Sequence, residues 1–265
     1  MYEFNYHRPA SIAEAAELLS TLEDAQIIAG GMTLLPTMKM RLAQPSDLVD
    51  LGDIDELTGI HEDGNNIVIG AMTCHTAVVE SELVRQKIPA LSYLAEQIGD
   101  AQVRNRGTLG GSVANSDPAA DYPAAVLGLG ATIMTDRRDI AADDFFKAMF
   151  ETALEPGEIL RAIRFPIPQQ AAYMKFPNPA SRYATVGVMV ARTAGNVRVA
   201  VTGAGACAFR ATALEDALAV DFSVSALEGL SIDASDLNED LHAGQEYRAS
   251  LVMVMAKRAV KTASD

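Results

Sequence analysis

Two glycine pairs constrain this chain more than anything else in it. They stand in Ala29-Gly30-Gly31-Met32-Thr33-Leu34-Leu35-Pro36 and in Thr108-Leu109-Gly110-Gly111-Ser112. Each follows a segment able to form a strand or a helix end, and each sets Gly-Gly beside a hydroxyl residue. Glycine has no Cβ, so a turn built on it can aim several backbone N–H groups at one anion at close range. A diphosphate is costly to desolvate unless several donors replace its water. Preorganised amides do this without freezing flexible side chains, and Thr33, Thr108 and Ser112 add hydroxyls. Two such turns, the second followed by Asn115, Asp117, Pro118 and Asp121, predict a diphosphate gripped from both sides. Asp121 is then a candidate acceptor for a ribose or ribityl hydroxyl. The alternative is that both pairs only make tight turns.

Better-known phosphate loops do not fit. A P-loop needs a Gly-Lys-Ser/Thr end, which neither turn has. The dinucleotide fingerprint G-x-G-x-x-G opens a helix, and Gly30-Gly31 followed by Pro36 does not supply it. Gly203-Ala204-Gly205-Ala206-Cys207-Ala208 lacks the third glycine and follows a hairpin strand, so it reads as a close-packed turn. With only Cys74 and Cys207, the chain holds no four-ligand iron–sulfur cluster of its own and no disulfide framework. His7, His61, His75 and His242 form no ligand spacing and read as surface or core residues. A net charge of -14 argues against a nucleic-acid surface. Met1 to Arg8 has no apolar signal region. Ala124 to Met134, broken by Gly128 and Gly130, is too short to span a bilayer. The expectation is a cytoplasmic protein with no transmembrane segment.

Along the chain, Ser11-Ile12-Ala13-Glu14 is a capping box that opens a helix running to Leu19. Strands are expected at Gln26–Ala29, Asp47–Leu51, Asn66–Gly70, Ala131–Met134 and Ile159–Phe165. Helices are expected at Thr76–Val84 and Pro89–Ile98. Prolines 166, 168, 177 and 179 mark a linker over 169–180. Beyond it, Val186–Arg192 and Val197–Thr202 flank the turn Ala194-Gly195-Asn196, a hairpin signal. Helices at about 210–220, 224–230 and 245–263 complete the reading. The domains expected are 1–168, in two parts meeting near 55, and 181–265.

The order of these segments resembles the FAD-binding medium subunit of molybdenum hydroxylases, the xanthine dehydrogenase and aerobic CO dehydrogenase family. Besides the two turns, the likeness rests on Ile69-Gly70-Ala71-Met72-Thr73, Asp117-Pro118-Ala119-Ala120-Asp121 and Gly157-Glu158-Ile159-Leu160. It extends through Lys175 and Ser181-Arg182-Tyr183-Ala184 to Val186-Gly187-Val188. The resemblance implies an α+β fold: a two-part FAD-binding domain of the vanillyl-alcohol-oxidase (PCMH) type, then a smaller α+β domain like the C-terminal domain of CO dehydrogenase flavoproteins. It implies that Ile28, Ala29, Gly30, Gly31, Met32, Thr33, Leu34 and Leu35, with Thr108, Gly110, Gly111 and Ser112, hold the FAD diphosphate. Asp121 would bind the sugar part and Leu160 would face the adenine. Lys175 would reach the flavin from the linker, and Tyr183 would lie close to the isoalloxazine. Met32 and Ser112 depart from the family pattern, where His or Gln and Asn are common; backbone donors carry most of the grip.

The implied function is electron relay, with no catalytic acid–base residue and no metal ligand in this chain. Electrons pass from two [2Fe-2S] clusters of a small partner subunit, through FAD here, to an external acceptor. Substrate is oxidised at molybdopterin in a large partner subunit, and the assembly expected is a dimer of heterotrimers. Two other readings stay open at this point. One is a self-contained flavin oxidoreductase of the same fold. The other is a non-redox nucleotide-binding assembly subunit.

Overall fold

The computed structural model describes residues 1–193 and 195–265. At the start of the chain, Ser11 caps the helix Ile12–Thr21 by accepting the Glu14 amide at 3.2 Å. The Glu14 carboxylate accepts the Ala10 amide in return, at 2.8 Å, close to the reciprocal pair that Ser-x-x-Glu favours. Strands Asn5–His7, Asp47–Asp50 and Ala25–Ile28 form a parallel sheet with Asp47–Asp50 at its centre. Between the second and third strands in sequence lies the helix Leu34–Lys39.

A five-stranded antiparallel sheet follows, in the order Ile60–Asp63, Asn66–Gly70, Leu160–Pro166, Thr132–Thr135, Asp139–Ala141. Helices between residues 75 and 128 close over it, burying Ile67, Ile69, Leu91, Leu94, Leu109 and Phe165 in one core. The single helix expected over Thr76–Val84 is two, His75–Glu80 and Glu82–Lys87. Ser81 is extended between them, and its hydroxyl accepts the Val84 amide at 3.3 Å. That side-chain bond caps the second helix at the expense of continuing the first.

The third sheet is antiparallel, ordered Gln170–Pro177, Ala184–Thr193, Asn196–Thr202, Phe209–Arg210. Residues 184–191 are buried without interruption because both faces are covered. Helix Gln245–Ser264 packs on Ala184–Thr193 and Thr212–Val220 on Asn196–Thr202, enclosing Val186, Val188 and Val190 in one core, while Met189, Ala191 and Ala200 join the core of the preceding sheet. A strand covered twice reads as an unbroken apolar run. The linker expected over 169–180 is therefore corrected: Gln170–Pro177 is a strand at the sheet's edge. Its prolines bracket the strand, as residues without an N–H can at a strand end or edge. The helix expected over 224–230 is a single 3-10 turn, Ser225–Leu227. In the hairpin signal, Ala194 lies outside the described residues and Gly195 takes φ +91.

Arg248 ties the last helix to this sheet. It is 3% exposed and donates from Nη1 to the carbonyls of Thr185 and Gly203, at 2.7 and 2.8 Å, and from Nη2 to Asp240 at 2.6 Å. Arg248→Met leaves two buried carbonyls short of a donor and lowers stability by about 2–3 kcal/mol, measured by chemical denaturation. Asp240→Asn, at a half-exposed partner, costs much less.

Candidate functional site

The first glycine turn and the start of the second meet backbone to backbone. A Cβ on Gly30 would run into the carbonyl of Arg106 and come within 2.8 Å of the Cα of Gly107, so only glycine allows the approach. Next to it, Gly31 takes φ +72, a conformation that residues with a Cβ adopt at a cost. Over this junction opens a cleft of about 880 Å³. Among the described residues, the amides of Gly31, Met32 and Thr33 have no acceptor within the chain. All three line the cleft, Gly31 half-buried and Met32 and Thr33 exposed to it, so their amides are free to exchange water for a ligand.

The second pair behaves differently from the sequence expectation. Its amides are already taken: Leu109 donates to the Thr73 carbonyl at 3.0 Å, Gly110 to the Ala71 carbonyl at 2.8 Å, and Gly111 to Thr108 Oγ1 at 3.1 Å. Gly110 and Gly111 lie in the helix Leu109–Asn115, which Thr108 caps. The even grip from both sides is thus corrected. Free amides belong to the first turn, while the second forms a wall that presents Thr108, Gly110, Gly111 and Ser112 to the cleft. The amides of Leu109 and Gly110 close on Thr73 and Ala71, just past the end of the strand Asn66–Gly70.

Of the residues singled out from the sequence, Ile28, Ala29, Met32, Thr33, Leu34, Asp121, Leu160 and Tyr183 also line the cleft. Leu35 does not; it packs beneath the turn against the small core of Ile28, Met38 and Leu48. Lys175 does not line it either, which corrects its expected reach to the flavin from a linker. Tyr173 and Lys175 stand two apart on one strand and so share a face. Both donate to Asp121, Tyr173 from its hydroxyl at 2.5 Å and Lys175 from Nζ at 2.9 Å. Lys175 Nζ also donates to the Gln97 carbonyl at 3.0 Å. Burial pushes the Asp121 carboxyl above the usual range against the pull of Lys175 and Tyr173, and burial together with Asp121 holds the Tyr173 phenol in its protonated, donating form.

Several lining residues escaped the reading as site residues. His75 lies on the cleft, almost fully buried, with its ring 5.3 Å from that of Tyr122. Burial, with help from the nearby Arg104 charge, brings its pKa down to about 4, so it is neutral at physiological pH. Arg104 itself donates to the carbonyls of Glu96, Ile98 and Gly99. Glu158 is held by Arg138 Nε and Nη2, both at 3.0 Å, by the Thr135 hydroxyl at 2.7 Å and by the Glu155 amide at 2.8 Å. The loop 178–183 carries Arg182 and Tyr183 to the cleft; Asn178 Oδ1 accepts the amides of Ala180 and Ser181, and Arg182 takes φ +63. A Cys-His pair just past a strand end was the one signal for His75; nothing in one sequence marks Arg182.

Residues 2–168 match the family model described as FAD binding domain in molybdopterin dehydrogenase. The chain is 39% identical to the carbon monoxide dehydrogenase medium chain of Afipia carboxidovorans, over 98% of this chain and 96% of that one. It is 37% identical to the nicotine 6-hydroxylase medium subunit of Paenarthrobacter nicotinovorans, over 96% and 95%. Among solved structures, reconstituted CO dehydrogenase from Oligotropha carboxidovorans superposes with a TM-score of 0.89 at 37% identity, covering 99% of this chain and 98% of that one.

The Glu158 cluster predicts an acid-sensitive step. Four donors, the Arg138 guanidinium foremost, hold the carboxyl down at about 2 against an ordinary 4.5. A depressed folded-state pKa contributes stability that is complete above about 4.5 and fades as pH falls toward 2. Thermal denaturation across that window falls more steeply in the wild type than in Glu158→Gln, whose stability is lower at neutral pH and flatter in acid.

Proposed function

Because the chain belongs to the family of FAD-binding domains in molybdopterin dehydrogenases, we propose that its cleft holds one FAD and that it serves as the FAD subunit of a multi-subunit molybdenum hydroxylase. The observation that carries the reading is the set of unpaired amides at Gly31, Met32 and Thr33 over a glycine-walled cleft of dinucleotide size. When bound, FAD supplies two-electron redox chemistry between iron–sulfur clusters and an external acceptor. The chain's own part is to hold and orient it. Ile28 to Leu34 and Thr108 to Ser112 take the diphosphate, the first turn through amides and the second through hydroxyls and close packing. Asp121 meets the sugar portion, Leu160 faces the adenine, and Tyr183 covers the isoalloxazine at the mouth. Lys175 acts through Asp121, fixing its carboxylate.

The partners in this reading are a large molybdopterin subunit and a small subunit with two [2Fe-2S] clusters, assembled as a dimer of heterotrimers in the cytoplasm. The names of the relatives as medium chains or medium subunits support it. Among the described residues, no helix is long and apolar enough to cross a membrane.

The visible spectrum of the purified chain, with acid extraction of the cofactor, tests the proposal: flavin bands and released FAD are expected. A colourless chain that takes up no added FAD, alone or co-expressed with its neighbours, would falsify it. Gly31→Val forces a β-branched residue into φ +72 and against Leu35. It weakens FAD binding at least about tenfold, since roughly 1–3 kcal/mol of backbone strain falls on the amide-bearing turn, read by flavin fluorescence titration.

A further inference from the structure

A second cavity, of about 340 Å³, lies behind the mouth of the cleft. Asp117, Ser181 and Tyr183 line both cavities. Within the FAD reading above, we propose that Asp117 delivers protons to the FAD site, and that the second cavity is its water-filled route from solvent.

The need for such a residue follows from electron and proton balance. Reduction of FAD to FADH2 takes two electrons and two protons. Iron–sulfur clusters on the partner subunit supply electrons singly and carry no protons. The protons come from water, and an acid fixed between solvent and the cofactor speeds their transfer at a pH where free protons are scarce.

Asp117 is placed for that task. Among the described residues it is the one carboxylate that lines both cavities. Its Oδ1 accepts the Ala119 amide at 2.9 Å, which leaves Oδ2 to carry the proton. Its segment is clamped by the C-terminal sheet: the Pro118 carbonyl accepts Thr202 Oγ1 at 3.0 Å and the Gly203 amide at 2.7 Å, and the Ala119 carbonyl accepts the Ala184 amide. Burial lifts the carboxyl above the usual range, which brings its proton-carrying form toward working pH, where general acids are most effective.

The other ionisable groups nearby are committed elsewhere. On the cleft side, Asp121 is bound by Lys175 and Tyr173, Glu158 by Arg138, and Asp100 accepts the Val103 amide as a helix cap. His75 is enclosed and neutral, the Arg182 guanidinium carries donors only, and burial together with Asp117 pushes the Tyr183 phenol up. On the far side Arg248 pairs with Asp240, and His242 stands exposed at the rim, in contact with bulk water. Asp117 is left as the acid between solvent and cleft.

The test uses the full chain loaded with FAD and reduced in a stopped-flow spectrometer by reduced methyl viologen, which donates one electron and no proton. FAD affinity is measured first by fluorescence titration. In Asp117→Asn, FAD stays bound, flavin reduction at pH 8 slows about a hundredfold, and added imidazole restores part of the rate. Asp117→Glu keeps most of it. In Ala119→Leu, which fills the second cavity and leaves Asp117 in place, reduction also slows, with FAD bound. Wild-type reduction rates at every pH in Asp117→Asn, or in Ala119→Leu, overturn the inference while leaving the FAD reading intact. A wild-type chain that binds no FAD overturns both.

Discussion

The approach of Gly30 to the Arg106 carbonyl and Gly107 is the contact from which the rest of the molecule takes its layout. It joins the parallel unit at the start of the chain to the helical layer over the antiparallel sheet, with no side chain between them. Close contact at that point does two things together. It leaves the amides of Gly31, Met32 and Thr33 facing outward without internal partners, and it sets the helix Leu109–Asn115 opposite them as a wall. A Cβ at residue 30 would lever the two units apart, and the cleft would lose its floor before any ligand contact was altered.

The charge around the cleft follows a consistent pattern. Lys175 is occupied by Asp121, Arg138 by Glu158, and Arg104 by three backbone carbonyls. None of these three lines the cleft; among the described residues, Arg182 is the one Lys or Arg that does. In a chain of net charge -14, the donors left for the diphosphate of the proposed FAD are, besides Arg182, backbone dipoles. These need no counter-ions and do not swing away when the ligand leaves. The cations are spent on holding carboxylates at fixed positions, so the site's rigidity and its electrostatics come from the same ion pairs.

How much of this was readable in the sequence depended on how local the cause was. The capping box at Ser11, the strand ending in the first glycine turn, and the strand run from 184 to 191 each announce themselves within a few residues; of the strand Ala25–Ile28, only Ile28 is buried. Asn5–His7, a three-residue polar strand, carries no periodicity and exists because Asp47–Asp50 offers it an edge. The second glycine pair lines the cleft as expected, but its donors are taken, because the amides of Leu109 and Gly110 close on Thr73 and Ala71, more than thirty residues upstream. No local pattern tells a turn whose donors are free from one whose donors are taken.

Lys175 shows the same limit at the level of role. Proline spacing suggested a linker there, and resemblance suggested a cation reaching the cofactor. As a strand residue, it has its orientation set by the pleat: with Tyr173 on the same face, it points at Asp121 and not into the cleft. The C-terminal sheet therefore touches the site in three ways: through the Asp121 network, through the clamp on residues 118–120, and through the loop that carries Arg182 and Tyr183. A two-part cofactor domain could form its cleft without that sheet. Without it, residues 118–120 would lose the clamp from Thr202, Gly203 and Ala184, and the cleft would lose Arg182 and Tyr183 from its lining.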